Sequence, residues 1–221
     1  MNLPDQLLPA GWLWVGHLLF AGVFAYVLRV APWRRLRKSS QLHLFLGAVV
    51  AIMVLWNIKT GIRPGLNFHM LGATALTLMF GPELAIVGMV LVLLGSTLAG
   101  FSGVWTFPLN TLLMGVLPVL VSQAIYRLAD TRLPNHFFVY VFVNGFFGGA
   151  LAMAATGIVA TTLLAAAGAY PAAYLYGEYL PFYTLLAWSE ALLTGMAVTL
   201  MVVYRPEWIG TFDDLRYLRN K

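Results

Sequence analysis

Long apolar stretches along the chain alternate with short polar breaks rich in Gly, Pro and charge. Seven stretches, 11–28, 41–58, 66–80, 83–101, 107–126, 137–167 and 181–204, are on the scale of the roughly 20 residues that a helix needs to cross a bilayer. The third and fourth could form one helix over 66–101. Gly81-Pro82-Glu83 argues against that, because it would set a helix breaker and a carboxylate in the middle of the membrane. The pattern therefore predicts a turn at Gly81-Pro82. The breaks run to about a dozen residues, too short to fold alone, so one integral membrane domain over 1–221 is expected. Its last part, 205–221, mixes Trp208, Phe212, Leu215, Tyr217 and Leu218 with charges and predicts a short interfacial helix.

Composition agrees with the pattern. With 61% hydrophobic and 10% charged residues and a mean hydropathy of +0.83, the chain has too little polar surface to cover a soluble globule. Charge then orients the spans. With seven crossings and the N-terminus outside, Arg29, Arg34, Arg35, Arg37, Lys38, Arg127, Arg132, Arg205, Arg216, Arg219 and Lys221 all fall inside. These are 11 of the 13 basic residues, and only Lys59 and Arg63 remain outside. Merging the third and fourth stretches would put 5 inside and 8 outside, against the positive-inside rule. The expected fold class is an all-α membrane protein of seven transmembrane helices, N-terminus outside and C-terminus cytoplasmic. The net charge of +5 then serves contact with anionic membrane lipid and gives no reason to invoke nucleic acid.

The chain has no cysteine, which excludes disulfides, thiolate metal sites and iron–sulfur ligation. Asp5 stands where a signal peptide would be basic, and no small-residue cleavage site follows the first apolar run, so the mature protein is expected to begin at Met1. Ionisable groups within spans are costly and point to function. In the N-out arrangement His69 lies near the outer surface, while His17 and Glu190 lie about two turns into the first and seventh spans. Each has a structural alternative: a hydrogen bond to a neighbouring helix for His17, and the capping of buried backbone for Glu190. His43 and His136 fall at inner span ends. The methionines share no common depth and read as core filler. The tryptophans read chiefly as an interfacial belt. Pairs such as Ala21/Ala25 and Gly145/Gly149 allow close helix packing. Glu83 reads as a solvated turn residue or a contact to a partner. Gly100-Phe101-Ser102-Gly103 matches a short string around the serine of intramembrane proteases, but no histidine is placed to activate Ser102. No phosphate-binding loop is present, and an enzyme is not expected.

Several stretches resemble one family. Asn2-Leu3-Pro4-Asp5 with Leu7-Leu8-Pro9 resembles its N-terminal motif, His-Ile-Pro-Asp followed by a short apolar pair. His69-Met70-Leu71-Gly72 running to Gly81-Pro82 resembles its His-Leu-x-Gly…Gly-Pro segment. Asn110-x-x-x-Met114-Gly115-x-x-Pro118, Glu190-Ala191-Leu192-Leu193-Thr194-Gly195 and Arg205-Pro206-Glu207 follow in the family's order. The family is the cobalt/nickel substrate-binding permease of energy-coupling-factor transporters, the CbiM/NikM type.

The resemblance implies a seven-helix membrane protein whose N-terminal segment, 1–10, tucks into the helical core. It also implies a metal held by the Met1 amine, the backbone nitrogen and imidazole of residue 2, and the imidazole of His69. Here residue 2 is Asn2. Met1, the Asn2 backbone nitrogen and His69 carry over, and the missing imidazole leaves a weaker donor set for a late first-row metal. His17 and Glu190 are the replacements that the sequence offers at similar depth. The function implied is uptake of a divalent transition-metal ion, nickel or cobalt, as transported ligand across the bacterial inner (plasma) membrane. Energy would come from a separate transmembrane coupling protein and cytoplasmic ATPases. Asn2 leaves open a second reading: an accessory membrane protein for another metal, or for metalloenzyme assembly, without nickel or cobalt transport.

Overall fold

The structure, a computed structural model, describes residues 2–217. Apart from single turns, the described residues form seven helices: α1 Ala10–Val30, α2 Ser39–Leu55, α3 Ala73–Phe80, α4 Pro82–Leu98, α5 Phe107–Arg132, α6 Phe137–Ala166 and α7 Ala172–Tyr204. An antiparallel hairpin, β1 Thr60–Arg63 and β2 Leu66–Phe68, joins α2 to α3 and pairs Thr60 with Phe68 and Gly61 with Asn67. Helices α1, α5, α6 and α7 are long and apolar enough to cross a membrane. The apolar α2 and α4 are shorter, at 17 residues each, or about 25 Å.

The stretch 66–80 differs from the uniform helix its hydropathy suggested. It opens as strand β2, passes through an irregular loop, and becomes helical only over the 8 residues of α3, about 12 Å. The reason lies in the backbone at Gly72, whose φ of +71 ends the loop in a left-handed conformation that only glycine adopts cheaply. A Cβ at that position would also meet Ile52 Cγ1 at 2.9 Å. The turn expected at Gly81-Pro82 is present: Gly81 closes α3 and Pro82 opens α4, whose first turn has no intrahelical use for the missing N–H. The chain doubles back there, and Gly88 lets α4 approach α3 so closely that an added Cβ would lie 3.2 Å from Leu76.

Helices α3 and α4 form the centre. Nearly every side of α4 is buried, including Leu84, Ala85, Met89, Val92 and Leu93, whereas α1 buries only Gly16 and Val27 and exposes Trp14, Leu18, Leu19 and Tyr26. A helix apolar all round belongs in a core, and exposed apolar side chains on peripheral helices suit lipid. The chain is a multi-pass membrane protein. Helices α5, α6 and α7 each widen into a π stretch, at Leu112–Val116, Tyr140–Phe147 and Leu175–Tyr179. In α5 and α7, Pro118 and Pro181 have no N–H for the carbonyls of Met114 and Gly177 four residues back, and the wider turn accommodates this loss.

The tail also differs from the interfacial helix expected of it. Among its described residues it forms two single turns, a 3-10 turn at Pro206–Trp208 and an α-helical turn at Asp214–Tyr217, and Ile209, Phe212 and Tyr217 are buried against Leu78, Tyr140, Val198 and Val202. The C-terminal carbonyls of α3 account for the difference. Leu78 O accepts from Thr211 N–H at 3.2 Å and Thr211 Oγ1 at 2.8 Å. Met79 O accepts from Gly210 N–H at 3.0 Å and Arg35 at 2.9 Å. A short helix ending away from water needs such donors. Residues 218–221, with Leu218, Arg219 and Lys221, lie outside the described residues.

Candidate metal site

The N-terminal segment has neither helix nor strand in its first residues, yet it is fastened at almost every one. Leu3, fully buried, pairs with the Asn110 side chain on α5 much as one strand pairs with another. Its N–H donates to Asn110 Oδ1 at 3.1 Å and its carbonyl accepts from Asn110 Nδ2 at 3.1 Å. The same carbonyl accepts from Thr106 Oγ1 at 2.6 Å and Gly103 N–H at 3.2 Å. The Asp5 carboxylate accepts the N–H groups of Val104 and Thr106 at 3.1 and 2.9 Å, at the start of α5, where a helix end favours negative charge. On the other side, Asn2 N–H donates to Asn67 Oδ1 on β2 at 2.6 Å. The segment is thus clamped between the hairpin and α5.

His69 follows β2 directly and is 5% exposed. Its Nδ1 lies 3.0 Å from the Met70 carbonyl, an acceptor, so Nδ1 carries the proton and Nε2 carries the lone pair. That Nε2 is buried and has no hydrogen-bond partner among the described residues. The ring packs on Trp56 at a centroid distance of 4.2 Å, and Trp56 Nε1 donates to Leu71 O at 3.2 Å. From the opposite side, Glu190 on α7 accepts Leu71 N–H and Gly72 N–H at 2.8 Å each, with Thr194 Oγ1 at 3.3 Å. These contacts hold the loop after His69 by both its carbonyl and its N–H groups. A small cavity of about 10 Å³ adjoins the ring, lined by Asn67, His69, Met114, Met153, Thr156 and Tyr183 among others. This is space for roughly one water or one ion.

The structure brings some of the sequence-derived candidates together and separates others. Met1 lies outside the described residues. Asn2 is held by Asn67 of β2, and Asn67 and His69 line the same small cavity; Asn2 Oδ1 is likewise buried without a partner among the described residues. Glu190 reaches the His69 loop as an acceptor of backbone N–H groups. His17 stands apart: its Nδ1 pairs with Leu13 O at 2.7 Å in its own helix, and its ring lies 5.8 and 5.9 Å from those of Trp14 and Trp105. It borders a different pocket, shared with Asp5. No group of three His, Cys, Asp or Glu side chains suited to a metal occurs among the described residues. Ser102 pairs with Thr97 Oγ1 at 2.7 Å, so the short protease-like string has no catalytic geometry. Sequence reasoning missed Asn67, which sits two positions before His69 with nothing to mark it, and assigned Trp56 to the interfacial belt, although it is 2% exposed.

A family model described as the cobalt uptake substrate-specific transmembrane region, CbiM, matches residues 2–208. The chain belongs to the CbiM family. It is 27% identical to the cobalt transport protein CbiM of Desulforamulus reducens, over 94% of this chain and 83% of that one. A CbiM 1 protein of Methanosarcina barkeri is 29% identical over 92% of this chain and 88% of its own length. A crystal structure of a truncated transition metal transporter has the same fold, with a TM-score of 0.78, 19% identity, and coverage of 92% of this chain and 99% of that one. As a CbiM member the chain is a transporter component and not an enzyme.

Proposed function

We propose that this chain is the ion-recognising membrane component of a transition-metal uptake system, and that the ion is held by the Met1 amine, the Asn2 backbone nitrogen and His69 Nε2. The observation that carries this reading is the His69 lone pair, buried without a partner among the described residues, on a loop fixed from both sides and beside a cavity also lined by Asn67, which holds the Asn2 N–H. A nitrogen set of this kind suits cobalt(II) or nickel(II). Asn2 N–H donates to Asn67, so coordination through that nitrogen requires it to give up both this bond and its proton.

In this reading 1–221 is one membrane domain, with 1–10 inserted toward the core and 205–221 cytoplasmic. It crosses seven times from an outer N-terminus, and the third crossing is made by β2, the His69 loop and α3. The 11-to-2 split of basic residues supports the orientation. Energy comes from a separate transmembrane coupling protein and cytoplasmic ATPases, since the chain has no phosphate-binding loop of its own.

The test is elemental analysis of purified protein after exposure to a panel of divalent ions. One form carries a free N-terminus and another carries a tag ahead of Met1, which turns the amine into an amide. Binding by the first and loss in the second is the expected result, and equal binding removes Met1 from the site. The accessory-protein reading is favoured by the absent imidazole at Asn2. It gains if cells expressing the chain with its coupling partners accumulate no cobalt or nickel.

A further inference from the structure

We propose that the cavity beside His69 is a second, softer ion position, in which His69 Nε2 and the thioethers of Met114 and Met153 hold a monovalent d¹⁰ ion of the copper(I) class. It rests on the metal-uptake reading above and adds a class of ion. The argument begins with what the fold brings together. Met114 lies in the π stretch of α5 and Met153 on α6, and 38 residues separate them in sequence. They are 0% and 1% exposed, and both line the cavity into which His69 faces. Two of the nine methionines thus share a depth that the linear pattern did not show.

The His69 lone pair is the sign of a ligand, since leaving a buried acceptor without a donor is unfavourable and Nε2 has none among the described residues. The Thr156 hydroxyl cannot supply one, because it donates to Ala152 O at 2.8 Å.

Donor chemistry then selects the ion. Imidazole and thioether are neutral and comparatively soft, and thioethers favour copper(I) over the divalent ions of the first row. No carboxylate lines this cavity. The carboxylate beside it is that of Glu190, held at 2.8 Å by the N–H groups of Leu71, itself a lining residue, and Gly72. With only neutral donors lining the cavity, a monovalent ion carries less uncompensated charge into it than a divalent one, and such charge is expensive in a dry core. Because His69 belongs to both positions, a soft ion in the cavity and a divalent ion at the N-terminal nitrogens exclude each other.

The experiment uses the full chain with an untagged N-terminus, silver(I) as a redox-inert probe, and copper(I) in competition with a chromogenic chelator. Met114→Leu and Met153→Leu conserve side-chain volume, so both variants should fold. The native protein is expected to bind one silver(I). Each single variant should lose at least about tenfold in affinity and the double variant at least about a hundredfold. X-ray absorption should show sulfur around the native ion and none in the double variant. Cobalt affinity of the native protein should fall when silver(I) is added. Absence of silver(I) binding, unchanged affinity in both variants, or an ion shell without sulfur overturns the proposal. If His69→Ala removes cobalt while the methionine variants leave silver(I) binding intact, the uptake reading stands and the soft site fails. If the methionine variants lose silver(I) but cells take up no metal, the soft site stands and the uptake reading fails.

Discussion

The two ends of the short helix α3 face the same problem and solve it differently. Both leave terminal N–H and C=O groups that the helix itself cannot satisfy. At the N-terminal end the donors of Leu71 and Gly72 go to one carboxylate, Glu190, brought from α7. At the C-terminal end the carbonyls of Leu78 and Met79 go to Gly210, Thr211 and Arg35, brought from the tail and from the segment after α1. Negative charge at the first end and positive charge at the second both complement the helix dipole. The difference is in what remains. The carbonyls of Leu78 and Met79 are each satisfied twice, whereas beside the Glu190 end His69 Nε2 and Asn2 Oδ1 stay buried without partners among the described residues. One end is closed by structure alone, and the other keeps two unpartnered polar atoms at the position we propose for the ion.

Glu190→Ala is the sharpest break in this comparison. It strands two buried N–H groups and should lower stability by about 3–5 kcal/mol, read as thermal unfolding in detergent, with metal binding lost as the His69 loop loosens. Glu190→Gln retains one acceptor and should cost roughly half as much. If Glu190→Ala abolishes metal binding at full stability, Glu190 is a ligand and the capping account is wrong.

His69→Ala should act on the other axis. Metal affinity falls by at least about a hundredfold, or roughly 2.7 kcal/mol, while stability changes by less than about 2 kcal/mol. Calorimetric titration and thermal unfolding of the same sample separate the two effects. Thr211→Val, at the closed end, removes the bonds of Thr211 Oγ1 to Leu78 O and Tyr140 Oη. Its expected cost is about 1–2 kcal/mol of stability with metal affinity unchanged. An affinity change there would mean that the two ends of α3 communicate.

Much of this was legible in the sequence because hydropathy and turn chemistry are local. The apolar stretches mark the helices, and Gly81-Pro82 marks the reversal between α3 and α4. The half-helical character of 66–80 was not legible, because Leu66–Phe68 is as apolar as a helix would be. The strand depends on pairing with Thr60–Arg63, and the left-handed backbone at Gly72 lies where Ile52 leaves no room for a Cβ. The tail was misread for the same reason: its aromatic residues suit an interface, and only the carbonyls of α3 reveal why Phe212 and Tyr217 turn inward. At the candidate site, His69 stands out as an ionisable group near a span end. Asn67 and Met153 carry no local mark, Met114 is marked only as part of the family motif, and three-dimensional convergence alone connects the three.

The smallest expected effect is the most specific. Asn2 is 4% exposed, its N–H is held by Asn67, and its side-chain oxygen has no partner among the described residues. The position is therefore fixed and its side chain is free to be exchanged for a better donor. Asn2→His adds a neutral imidazole to the amine, the backbone nitrogen and His69, and should raise cobalt or nickel affinity by about tenfold, roughly 1.4 kcal/mol. An imidazole binds metal only when unprotonated, so the gain should be full above the ordinary histidine range near about 6.5 and should fade as pH falls through it. His17→Ala, which removes an imidazole bordering a different pocket, should change neither affinity nor its pH dependence. Calorimetric titrations of native, Asn2→His and His17→Ala protein at pH values on both sides of that range decide the matter. If Asn2→His brings no gain at any pH while His17→Ala weakens binding, the open end of α3 is not where the divalent ion sits, and the site belongs beside α1.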